Sequence, residues 1–170
     1  QQRAFVMAKV LEEARVVIIG SECPDVVPVC KMTPAATLEE ALALAARGAK
    51  VVVNDLGGTL DGTGGTPSAA LAVVEEIRQA GGEAMASGAS VTDAVAVQAM
   101  IDETMKAWGR IDILVNNAGI LRDKSFSKMT LDDFRLVVEV HLMGAVNCSK
   151  AVWDIMRAQN YGRIVFTASA

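Results

Sequence analysis

The sequence predicts an α/β fold: a doubly wound parallel sheet of about five strands with helices on both faces. Three observations carry this expectation. Short β-branched runs alternate with longer stretches of helical period. Apolar residues make up 52% of the chain and aromatics only 4%, the balance of strands rich in small aliphatics buried between helices. The 170 residues suit one domain with a sizeable core and do not demand a second.

In chain order, residues 15–20, 50–54, 84–87, 111–116 and 162–168 read as strands. Helical stretches lie at 38–46, 68–80, 93–108 and 131–159. Thr37 followed by Glu40 fits a capping box for the first helix, and Thr130 followed by Asp133 is a weaker version for the last. Gly48, Gly81 with Gly82, and Gly109 stand just past helix ends, where a left-handed residue closes the last turn. Residues 57–65 (GGTLDGTGG) are too rich in glycine for regular structure and read as a loop after the second strand.

Composition removes several function classes. A net charge of −4 without a basic run speaks against nucleic acid or an anionic membrane surface as partner. Apolar runs such as 16–19 are too short to span a bilayer, and Gln1, Gln2 and Arg3 do not open a secretory signal. Cys23, Cys30 and Cys148 form no CxxC pair and read as reduced thiols, which places the protein in the cytoplasm. Three scattered cysteines and one histidine are too few for a zinc site, so no metal is expected.

In such a sheet ligands sit at the carboxyl ends of strands where the winding reverses. Functional residues are therefore expected just after Gly20, Asn54, Ser87, Asn116 and Ala168. The strongest motif is Asn116-Asn117-Ala118-Gly119, directly after the run IDILV. A tight turn of this kind brings backbone close to a flat ligand, and its amides hydrogen-bond neighbouring strand ends. An ordinary strand-terminal turn would use the same residue types.

The surrounding text, GRIDILVNNAGILRDKSF, resembles the NNAG region of the short-chain dehydrogenase/reductase family. The resemblance extends from ALALAARGAKVVVNDLGG through VHLMGAVNCSKAVW to YGRIVFTASA, about three quarters of the chain. It divides the chain into an atypical segment, 1–40, and a Rossmann-like core, 41–170. The phrases VVVNDLGG and NNAGILRDKSF are most similar to the (3R)-hydroxyacyl-CoA dehydrogenase subgroup, which uses NAD on β-hydroxyacyl thioesters.

The resemblance implies roles for single residues. Asp55 after the second strand would accept hydrogen bonds from the adenosine ribose; its charge would repel a 2′-phosphate, favouring NAD over NADP. Ser90 and Val91 stand where the family places residues against adenine, and Gly20, Asn117, Ala118 and Gly119 line the cofactor's path. His141 occupies the place of an asparagine that holds a relay water, though a satisfied histidine packed under the sheet is an equal alternative. Ser169 would hydrogen-bond the substrate oxygen. In the family the long helix at 131–159 pairs across a dimer interface, which implies a homo-oligomer acting on a small molecule such as an acyl-CoA.

Two family features are missing from these residues. The glycine-rich TGxxxGxG loop is replaced by Ser21-Glu22-Cys23-Pro24-Asp25, with no glycine between Gly20 and Gly48. The YxxxK pair that follows the serine is absent, and Tyr161 is followed four residues on by Val165. The expectation is a dehydrogenase scaffold, truncated or chimeric, that is inactive as this chain. The alternative is a non-catalytic Rossmann-like fragment with weak or no dinucleotide binding.

Overall fold

The computed structural model describes residues 16–20, 48–57 and 68–167. Strands β1 (Val16–Gly20), β2 (Lys50–Asn54), β3 (Glu83–Ser87), β4 (Ile113–Asn117) and β5 (Arg163–Phe166) form one parallel sheet in the order β3-β2-β1-β4-β5. The helices are α1 (Ser68–Gln79), α2 (Ala94–Trp108), α3 (Leu131–Val138) and α4 (Gly144–Ala158). The expected α/β class and doubly wound sheet are what the chain forms. The expected helix at 38–46 and most of the glycine-rich stretch 57–65 lie outside the described residues.

Consecutive valines in β2 make sense because neighbouring side chains of a strand point to opposite faces, and both faces here are covered. Val51 joins Ile113 and Val115 in packing with Val74 and Ile77 of α1. Val52 and Leu114 pack on the other side with Val97, Met100 and Ile101 of α2 and with Cys148, Val152 and Met156 of α4. Burying each such side chain stabilises the fold by roughly 1.5–3 kcal/mol, so a polar residue in these runs would be costly. Burial also pushes the Cys148 thiol up to about 12, which makes it an inert core group.

Local signals set the helix ends. Asp93 accepts from the amides of Val95 and Ala96 at 2.9 and 3.1 Å and starts α2. Gly109 ends it at φ 71°, donating to Met105. Both arms of the Thr130–Asp133 capping box form, a fuller cap than the weak version expected.

Several boundaries differ from the sequence expectation by a residue or two, and two differences stand out. The fourth strand begins at Ile113, two residues later than expected, because the Gln159 side chain takes both backbone groups of Ile111, at 3.0 and 2.7 Å. The helix expected over 131–159 is interrupted by a π-helical turn at Glu139–Met143.

Candidate functional site

The chain runs outward from β1 to β2 and β3, then crosses back to place β4 on the other side of β1. The winding reverses between β1 and β4, and there Gly20 lies in register with Asn117. Two positions nearly a hundred residues apart in sequence thus meet at the expected crevice.

At the end of β2, the Asp55 amide donates to the Ser87 carbonyl at 3.0 Å, tying it to the end of β3. Its carboxylate accepts from the Gly57 amide at 2.6 Å. The side chain is therefore fixed and half-buried at the edge of the strand ends. Beside it, buried Asn54 exchanges two hydrogen bonds with the Ala89 backbone, both at 2.9 Å. Ser90 turns its hydroxyl to Thr92 at 2.9 Å, on the approach to α2. Val91 is buried against α4; its carbonyl accepts from Asn147 at 3.0 Å, and a Cβ on Gly144 would stand 2.6 Å from its Cγ2.

At the end of β4, Asn116 donates to Ser149 of α4 at 3.1 Å. Ala118 and Gly119 then carry the chain over the π-helical turn. A Cβ on Gly119 would lie 2.7 Å from His141 Cε1, so only glycine lets the backbone pass this close to the imidazole. His141 Nε2 is 3.0 Å from the Ile120 amide nitrogen and 2.9 Å from its carbonyl oxygen. Unprotonated, Nε2 accepts from the amide; protonated, it donates to the carbonyl. His141 is exposed and lines the crevice. Val91, Asn116, Ala118, His141, Phe166 and Thr167 are among the residues lining a crevice of about 90 Å³.

This arrangement meets a consistent set of likenesses. The family model described as short chain dehydrogenase matches residues 37–170. The chain belongs to the short-chain dehydrogenase family. It is 56% identical over 131 residues to the peroxisomal multifunctional enzyme type 2 of Drosophila melanogaster, covering 77% of this chain and 21% of that protein. It is 55% identical over 129 residues to the peroxisomal hydratase-dehydrogenase-epimerase of Saccharomyces cerevisiae, covering 76% of this chain and 14% of that protein. The solved structure of a 7α-hydroxysteroid dehydrogenase with NADH and 7-oxo glycochenodeoxycholic acid superposes with a TM-score of 0.73. That structure is 29% identical and is covered over 56% of its length by 95% of this chain. The chain therefore spans less than a quarter of the two relatives' length and just over half of the solved structure.

Within this short-chain dehydrogenase fold, the strand ends bring Gly20, Asp55, Ser90, Val91, Asn117, Ala118, Gly119 and His141 to one edge of the sheet. Ser169 and Ser21 to Asp25 lie outside the described residues. Asn54, Gly144 and Asn147 were not singled out by sequence reasoning. Asn54 is a polar residue ending an apolar strand, the one visible hint; Gly144 and Asn147 look like ordinary helix residues. Tyr161 precedes β5, at the opposite end of the strand from the crevice, with Arg163 5.0 Å from its ring centre.

Proposed function

We propose that this chain is the nucleotide-binding part of an NAD-dependent oxidoreductase acting on 3-hydroxyacyl or 3-ketoacyl thioesters. The carrying observation is that the Asp55 carboxylate and the Asn117–Gly119 turn stand at the ends of β2 and β4, the two strands that flank β1 beside the winding reversal. These groups fit a dinucleotide. Asp55 offers a fixed carboxylate for ribose hydroxyls and an unfavourable neighbour for a 2′-phosphate, which favours NAD over NADP. When bound, the cofactor would supply hydride transfer. Ser90, Val91, Gly20, Asn117 and Ala118 are assigned to cofactor contact, and Ser169 and His141 to the substrate oxygen and its proton path.

The name of the Saccharomyces cerevisiae relative supports dehydrogenase chemistry, and the thioester rests on the subgroup that VVVNDLGG and NNAGILRDKSF resemble. The second reading is a non-catalytic Rossmann-like fragment with weak or no dinucleotide binding; among the described residues the tyrosine, Tyr161, stands before β5, away from the crevice. A homo-oligomer is supported by Leu142, Val146 and Trp153, which are exposed along one face of α4 and its π-helical lead while Val152 and Met156 face the core. No helix among the described residues is long and apolar enough to cross a membrane. The cytoplasm is the compartment the thiols suggest, and the peroxisomal names of the relatives favour a second; fractionation of the native protein decides between them.

Calorimetric titration with NAD and NADP tests the proposal directly. NAD is expected to bind at least tenfold more tightly than NADP, and Asp55→Asn to narrow that ratio. Equal affinities, or no binding of either, would refute the cofactor assignment. Adding NADH and a 3-ketoacyl-CoA then separates the two readings by whether NADH is consumed.

A further inference from the structure

Residues 120–133 join the crevice to α3, and they are fastened at both ends. At the first end His141 holds the Ile120 backbone. At the other, Asp133 is buried to 8% exposure at the start of α3. Its Oδ2 accepts from Lys124 Nζ at 2.7 Å, Thr130 Oγ1 at 2.8 Å and the Thr130 amide at 3.1 Å. Arg122 Nη1 stands 3.6 Å from the other carboxylate oxygen. The Arg122 Nε is buried without a hydrogen-bond partner, so that guanidinium relies on Asp133 to offset its burial. Residues 125–128 are exposed, and their hydrogen bonds to one another are local, such as Lys128 N to Ser125 O at 2.8 Å.

We infer that Asp133 is a positioning residue for the crevice: its carboxylate clasps Lys124 and Arg122 and thereby fixes Ile120 against His141. The importance of this for chemistry rests on the dinucleotide reading above; the clasp itself does not. A single exposed hydrogen bond at Ile120 does not hold a loop of this length against its conformational entropy. A buried carboxylate that gathers two cations and a capping hydroxyl does so at the far end, and it does so from the rigid start of a helix. His141 is thereby met by Ile120 at a fixed distance without any direct contact between His141 and Asp133.

The single histidine gives the test its readout. In the full chain, NMR follows the His141 Hε1 resonance and the exchange rate of the Ile120 amide. Asp133→Ala is expected to move the resonance and to speed the exchange about tenfold or more. Asp133→Glu, which keeps a carboxylate and suits a capping box, is expected to restore both. Asp93→Ala removes a comparable cap from α2, away from the loop, and is expected to change neither. Unchanged signals in Asp133→Ala, or an equal change in Asp93→Ala, would overturn the inference. Should Asp133→Ala fail to fold, the double change Arg122→Met with Lys124→Met keeps the capping box. It is expected to move both signals, and silence there would overturn the inference equally. Loss of NAD binding in the unaltered chain, with these shifts intact, would defeat the cofactor assignment and leave the clasp standing.

Discussion

The two halves of the strand-end edge are fastened by different chemistry. On the β2–β3 side, beyond the Asp55 carboxylate on the Gly57 amide, the locks are neutral amides: buried Asn54 with the Ala89 backbone, and half-buried Asn147 with the Val91 carbonyl. On the β4 side the neutral Asn116–Ser149 bond is joined by exposed His141 with Ile120 and by the Lys124–Asp133–Arg122 cluster, whose lysine is partly exposed. A buried amide lock contributes little net energy when made but is expensive to leave half-made. An exposed charged lock is cheaper to lose and responds to pH and salt. The Asn54 side is thus built to be rigid, and the Asp133 side is built to respond.

The largest expected break in this comparison is Asn54→Leu. Asn54 is 3% exposed, and its loss orphans the Ala89 carbonyl, while the Ala89 amide keeps the Ser87 hydroxyl at 3.2 Å. Urea unfolding is expected to show a loss of about 3 kcal/mol, with the same deficit at pH 5 and pH 8. A loss under about 1 kcal/mol, or one that varies with pH, would show that this side is not a desolvated lock.

A smaller effect is expected from Gly144→Ala. Alanine gains up to about 1 kcal/mol of helix propensity over glycine. Against it stands a Cβ placed 2.6 Å from Val91 Cγ2 and 3.0 Å from Val91 Cβ. Crowding of a packed core costs roughly 1–3 kcal/mol, so a net destabilisation of about 1 kcal/mol is expected in thermal melts. A stabilised variant would mean that Val91 yields easily and that the loop before α2 is looser than its hydrogen bond to Asn147 implies.

These locks explain what could be read from the sequence. The strands were legible because both faces of the sheet are covered, so Val51, Val52, Ile113 and Leu114 had to be apolar without a break. Asp93 and Gly109 announced their helix ends because capping is local chemistry. The Asn117–Gly119 turn and Asp55 were legible because motif and strand end coincide. The π-helical turn was not: its residues EVHLM carry no breaker. Asn54 with Ala89, 35 residues apart, and Gln159 with Ile111, 48 apart, are likewise partnerships that only the folded chain creates. Asp133 was legible as a cap but not as a clasp, because nothing in the spacing says that Lys124 and Arg122 turn back toward it.

The smallest effect on the fold, and the one that most sharpens the comparison, is the pH dependence of Asp133. Lys124 beside it, then the Thr130 hydroxyl and amide, hold its carboxyl well below the ordinary value of 3.8. A carboxylate depressed in the folded state stabilises the protein fully above its unfolded value. That contribution is lost as pH falls through and below 3.8, because the unfolded chain takes up the proton first. Asp133→Asn removes the charge at every pH. It is therefore expected to melt below the unaltered chain at pH 7 and to converge with it as pH falls from about 5 toward 2. The gap at pH 7 should shrink in high salt, since the lysine is partly exposed and the pair is screened. Asn54→Leu, by contrast, should show a gap that neither acid nor salt closes. Parallel pH profiles for Asp133→Asn and the unaltered chain would place the clasp among the inert locks and erase the distinction between the two sides.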